Sequence, residues 1–72
     1  SAVSRLSTEE MLAKALSRIP SQLARIVKLY FLEDRPQQEV AEMEGLSLSA
    51  VKTRIHRAKK ALKKLGEDHL LA

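Results

Sequence analysis

Cysteine is absent from this 72-residue chain. That excludes disulfide staples and thiolate metal sites, and it suits a reducing compartment, so the expected location is the cytoplasm. Tryptophan is also absent, and one Tyr and one Phe are the whole aromatic complement. Stacking of nucleic-acid bases on ring platforms is therefore not the expected binding mode, and the core has to be aliphatic. Glycine and proline occur twice each, too few for a phosphate-cradling glycine loop or a proline-rich linker. No apolar run approaches ~18 residues and no signal-like segment opens the chain, so neither a membrane partner nor export is expected. Asn is absent, and His56 and His69 are thirteen residues apart. That arrangement offers neither metal-ligand spacing nor a nucleophile–base pair, so no enzymatic activity, metal ion or cofactor is expected.

What remains is 44% apolar and 31% charged, a globular balance. The length allows one domain, close to the lower limit for folding without staples. The net charge of +4 is unevenly placed: residues 1–46 carry −1 and residues 47–72 carry +5. From Ser47 to Leu65 there are seven basic residues and no acidic one. A near-neutral body with a basic C-terminal element points to a polyanion partner, nucleic acid first.

The apolar spacing predicts four helices and no strand, an all-α fold. Ser7 with Glu10 forms a capping box, Leu6 with Met11 a hydrophobic staple, and Leu12, Ala15, Leu16 and Ile19 continue at helical spacing until Pro20. Ser21 is expected to cap a second, central helix whose inward stripe is Leu23, Ile26, Val27 and Tyr30, ended by Glu33-Asp34-Arg35. Pro36 suits the first turn of a short third helix that holds Val40, Ala41 and Met43 and closes at Gly45. Leu46 is expected as a buried plug, and Ser47 caps the fourth helix. Met11 and Met43 read as core filler. One core is expected, centred on Leu16, Leu23, Ile26, Val27, Tyr30, Val40, Leu46, Val51 and Ile55.

The third and fourth helices form a helix-turn-helix pattern: about nine residues, a glycine, a short turn, then a longer helix, with the small Ala41 where the helices cross. At about 100° per residue, Val51, Ile55, Ala58, Leu62 and Leu65 share one narrow arc. The opposite face is nearly all hydrogen-bond donors. Only the first two or three turns of such a helix reach deep into a major groove. Lys52, Thr53, His56 and Arg57 are therefore the candidate base readers. Ser47 and Ser49 at the helix start, Arg54 at the edge of the arc, and Lys59 and Lys60 further along are the candidate phosphate contacts, with Lys63 and Lys64 beyond them.

Residues 32–65, LEDRPQQEVAEMEGLSLSAVKTRIHRAKKALKKL, resemble region 4 of bacterial sigma factors, nearest to the extracytoplasmic-function group. The stretch Val51-Lys52-Thr53-Arg54-Ile55-His56-Arg57-Ala58 carries most of the resemblance, with Glu39-Val40-Ala41-Glu42 and Gly45-Leu46-Ser47 before it and Ile19-Pro20 further upstream. The resemblance implies a small four-helix domain containing a helix-turn-helix, which reads the −35 promoter element of double-stranded DNA and docks on the flap of the RNA polymerase β subunit in transcription initiation. It also implies an anti-sigma factor as a partner, and it carries the base-reading role to Lys52, Thr53, His56 and Arg57. The sequence departs from the family pattern at Glu44, where an apolar residue is usual, at Asp34-Arg35-Pro36, and at Ser49-Ala50.

The resulting plan is a flexible linker over residues 1–6, the domain over 7–66 and a tail over 67–72, within a longer chain that carries the −10-binding region elsewhere. Two alternatives compete with promoter recognition. One is a sigma-like decoy that binds an anti-sigma factor without DNA. The other is a basic amphipathic helix for a membrane surface or a calmodulin-like partner, which the narrow arc, free of Trp and Phe, disfavours.

Overall fold

The computed structural model describes residues 7–71. The expected linker, with Leu6 of the staple, lies outside the described residues, as does Ala72. Four helices and a short C-terminal 3₁₀ turn make up the described fold, which contains no strand. It is the all-α helix-turn-helix architecture that the sequence pattern implies.

The first helix, α1 (Thr8–Leu16), opens on the capping box: Ser7 Oγ accepts from the Glu10 N–H at 3.1 Å, and the Glu10 carboxylate reaches back to the Ser7 N–H. It ends at Leu16, before Pro20 can act. There the Ser17 hydroxyl donates to the Lys14 carbonyl at 2.6 Å, and the Arg18 and Ile19 N–H groups fall back on the carbonyls of Ala15 and Leu16. Those shorter bonds tighten the last turn.

The second helix, α2, comprises an α-helical stretch over Ser21–Val27 and a π-helical stretch over Lys28–Leu32. Ser21 is its first helical residue and not its cap. Pro20 holds the cap position in extended geometry, and its carbonyl accepts from the Leu23 and Ala24 N–H groups, both at 3.0 Å. Pro36 likewise caps the third helix, one residue ahead of the first turn, and takes the Val40 N–H at 3.0 Å. In both cases the proline's fixed φ suits the cap as well as the first turn, so composition alone leaves the register one residue uncertain.

In the π-helical stretch the Glu33 N–H donates to the Lys28 carbonyl, one residue further back than in an α-helix. The widened turn adjusts the register of a segment rich in apolar residues, and Phe31 packs against both halves of the core. The chain then reverses through Asp34, whose φ of 54° is left-handed. Arg35 fixes this corner by donating to Glu33 at 2.9 Å and to Glu39 at 2.8 Å. These bonds to Glu33 and then Glu39 raise the guanidinium pKa further above its already high value, so Arg35 stays charged.

The third helix, α3 (Gln37–Glu44), closes at Gly45, where φ is 65°. The Leu46 N–H reaches the Ala41 carbonyl at 2.9 Å, which satisfies the helix end in the Schellman manner. Ser47 then caps α4 (Leu48–Lys64) through a 3.1 Å bond from the Ala50 N–H. A second closure of the same kind ends α4 at Gly66, with φ of 73° and the Glu67 N–H on the Leu62 carbonyl. The chain turns back there, and the 3₁₀ turn Asp68–Leu71 lays Leu70 and Leu71 against the core.

The expected single core is two adjoining groups. Leu12, Ala15, Leu16, Val27, Ala58 and Leu62 form one, between α1, α2 and the C-terminal half of α4. Ile26, Leu29, Val40, Ala41, Val51 and Ile55 form the other, beneath the helix-turn-helix. Leu23, Tyr30 and Leu46 sit half-buried at the margins and not at the centre. Met43 is no core filler: it is 47% exposed, beyond the edge of the buried face that Val40 and Ala41 define.

Candidate nucleic-acid interface

The candidate interface lies on α4, and the inner face of this helix explains why the outer one is held firmly. Val51, Ala58 and Leu62 are fully buried and Ile55 nearly so. This apolar stripe fixes the rotation of the helix about its axis, so the opposite side has to face outward. Lys52, Thr53, His56 and Arg57 are all exposed there, within about 8 Å of helix length at 1.5 Å per residue. Lys60, Lys63 and Lys64 extend the same face towards the C-terminal end. Among the described residues, no Lys or Arg of α4 has a carboxylate within ion-pairing distance. The charge of this face is therefore not paired by any carboxylate among the described residues.

The hydroxyl groups behave differently from the cations. Ser47 Oγ is engaged as the cap of Ala50 N–H, and Ser49 Oγ lies 3.2 Å from it. The Thr53 hydroxyl donates to the Ser49 carbonyl at 3.0 Å. Helix geometry leaves the amides of Leu48 and Ser49 without partners in the first turn, and they are donors of the kind that bind an anion.

The remaining candidates are placed less uniformly. Arg54 is half-buried at the edge of the apolar arc. The Lys59 ammonium lies 5.7 Å from the centre of the Phe31 ring, a cation–π contact that draws it towards α2. A recess of about 500 Å³ opens between α4 and the C-terminal turn, lined by His56, Lys59, Lys60, Lys63, Asp68 and Leu71. Asp68 thus brings a carboxylate to the border of the basic face.

This geometry is a helix-turn-helix whose second helix presents cationic donors with no carboxylate partner among the described residues. Residues 9–62, three quarters of the chain, match the family described as Sigma-70, region 4. The chain belongs to that family. It is also 38% identical over 52 residues to the RNA polymerase sigma factor SigV of Bacillus subtilis (strain 168), a match covering 72% of this chain. The chain spans about a third of that relative, 31% of its length. No solved structure gives a significant match.

Glu44, expected from the sequence resemblance to depart from the sigma region 4 pattern, has a partner in the structure. Its side chain is 12% exposed and forms an ion pair with Arg25, Nε to Oε1 at 2.6 Å, while the Arg25 side chain is 70% exposed. The carboxylate at the end of α3 is thus tethered to the outer side of α2. Sequence reasoning missed Arg25, because its partner is nineteen residues away and no local spacing pairs them. It also missed the return of Asp68, for which Gly66 was the available signal. The Thr53 hydroxyl was readable in principle: Ser49 and Thr53 are four apart, the spacing at which a helical hydroxyl reaches back to a carbonyl.

Proposed function

We propose that this domain recognises the −35 promoter element by seating the first turns of α4 in the major groove, and that it docks on the RNA polymerase β flap to direct transcription initiation. The observation that carries the reading is the division of α4 into a sealed apolar stripe and an outward face of cations that have no carboxylate within ion-pairing distance among the described residues. Lys52, Thr53, His56 and Arg57 face the base edges. The Leu48 and Ser49 amides, with Lys60 and the lysines beyond it, meet backbone phosphates.

Arg57 is the principal reader. Its planar fork can donate two parallel bonds to O6 and N7 of one guanine, whereas Lys52 offers a point charge with looser geometry. Phosphate contacts supply affinity and orientation, and the fork supplies discrimination. The family membership and the relative named as an RNA polymerase sigma factor support the reading.

The test is a binding selection from a randomised duplex pool, with the domain fused to a core-binding sigma segment and incubated with polymerase core. A discrete element containing at least one G·C pair is expected. Recovery of unenriched DNA, together with tight binding to an anti-sigma factor, would instead assign the domain as a decoy.

A further inference from the structure

Thr53 sits among the base readers, yet its hydroxyl is already committed. It donates to the Ser49 carbonyl at 3.0 Å, inside its own helix. Ser47 and Ser49 are similarly engaged with the first turn and with each other. By contrast, Lys52, Arg57 and His56 are exposed and carry no hydrogen bond from their side chains to the described residues. The reading face therefore contains two kinds of group: charged or imidazole donors, and one threonine that has spent its donor. Turning the hydroxyl outward would forfeit its bond. Leaving it in place keeps the methyl as the apolar end of an exposed side chain.

A threonine methyl has one natural counterpart in the major groove, the C5-methyl of thymine. We infer that Thr53 reads a T·A pair through methyl–methyl contact, and that its hydroxyl serves the helix and not the DNA. This rests on the proposed seating of α4 in the groove, and it assigns thymine to a position whose hydroxyl alone would not choose among the bases. The arrangement also divides the labour between neighbouring residues. Arg57 is one turn further along, on the same outward face, and takes guanine by its fork. Thr53 takes thymine by burying apolar surface.

Two variants separate the methyl from the hydroxyl. Thr53→Val keeps the methyl and loses the hydroxyl; Thr53→Ser does the reverse. Both lie on an exposed helix position, and far-UV melting of each is the check on folding before binding is compared. Binding is measured by fluorescence anisotropy on the element returned by selection, with each thymine replaced in turn by uracil, which removes only the C5-methyl. One position is expected to weaken the parent about fourfold, equivalent to ~0.8 kcal/mol for one buried methyl-sized group. Thr53→Val should show the same methyl dependence at that position, and Thr53→Ser should lose it. If Thr53→Ser retains the methyl dependence while Thr53→Val abolishes it, the hydroxyl is the reader and the inference is overturned. It is equally overturned if the parent binds its element selectively but no thymine-to-uracil change matters. If the parent shows no preference for any element over random DNA, the groove-reading proposal itself fails, and this inference falls with it.

Discussion

Truncating Leu62 to alanine removes a side chain that has no solvent exposure, at the point where α4 crosses the Leu12 and Leu16 side of the core. Three methylene-sized groups are lost, worth ~2.4 kcal/mol at about 0.8 kcal/mol each. The cavity left behind brings the expected cost to about 2.5–5 kcal/mol. Alanine's better helix propensity returns only a few tenths, so burial decides the sign. A chain of this length has a total stability of roughly 4–11 kcal/mol. The substitution therefore removes a large share of it, and Tm should fall by at least about 10 °C. The internal control is Met43→Ala, because Met43 is 47% exposed and its truncation should cost under about 1 kcal/mol. Thermal melts followed by far-UV circular dichroism measure both. A smaller drop for Leu62→Ala than for Met43→Ala would refute the placement of α4 in the core, and with it the orientation of the basic face.

Three further outcomes follow from particular contacts. Arg25→Ala should destabilise the domain by about 1 kcal/mol, since it leaves the mostly buried Glu44 carboxylate unpaired, whereas Glu44→Leu should be near neutral; denaturant midpoints that rank the two the other way would contradict the tether. Gly45→Ala should cost about 1–2 kcal/mol from left-handed backbone strain alone, because no atom lies within 4 Å of the added Cβ; an unchanged midpoint would mean the turn relaxes freely. DNA affinity should fall with a log–log salt slope near −4 to −5, for roughly four to six phosphates neutralised, and Lys60→Ala should lower it by up to about one unit; a flat response in a titration across salt concentrations would favour the decoy assignment.

Much of the fold was legible because its signals are local. Ser7 and Glu10, and Ser47 before its apolar run, are cap residues whose partners lie three positions away. The wheel of α4 separated buried Val51, Ile55, Ala58 and Leu62 from the exposed candidate readers because helix periodicity alone determines which residues share a face. What escaped depends on long-range or competing contacts. Nothing near Glu44 announces Arg25. Met43 has the composition of a core residue, but α3 is too short to bury more than one face. The π-helical stretch over Lys28–Leu32 lies in a span, Leu23 to Leu32, whose eight apolar residues all pack against the two core groups, and no residue type marks it. Lys59 reads as another solvated lysine until Phe31 is placed beneath it. The candidate readers could be named from the wheel, but not the state of their hydrogen bonds. The spacing of Ser49 and Thr53 allows the back-bond from the Thr53 hydroxyl, and the side-chain rotamer establishes it.

The central claim is that α4 reads base edges and does not merely meet phosphates, and Arg57 tests it most directly. The measurement is the sequence preference of the parent, Arg57→Ala and Arg57→Lys, determined by the same selection and quantified by anisotropy on single-base variants of the element. Arg57 is exposed and its truncation leaves no cavity, so changes in binding report on DNA contact and not on folding. Arg57→Ala should lose about 1–3 kcal/mol on the preferred sequence and relax discrimination at one G·C pair. Arg57→Lys should recover much of the non-specific affinity but little of that discrimination, because it keeps the charge and loses the fork. If both variants instead weaken binding to all sequences alike and leave the preference profile identical to the parent's, Arg57 contacts only phosphate, and the base-reading assignment of this face is contradicted.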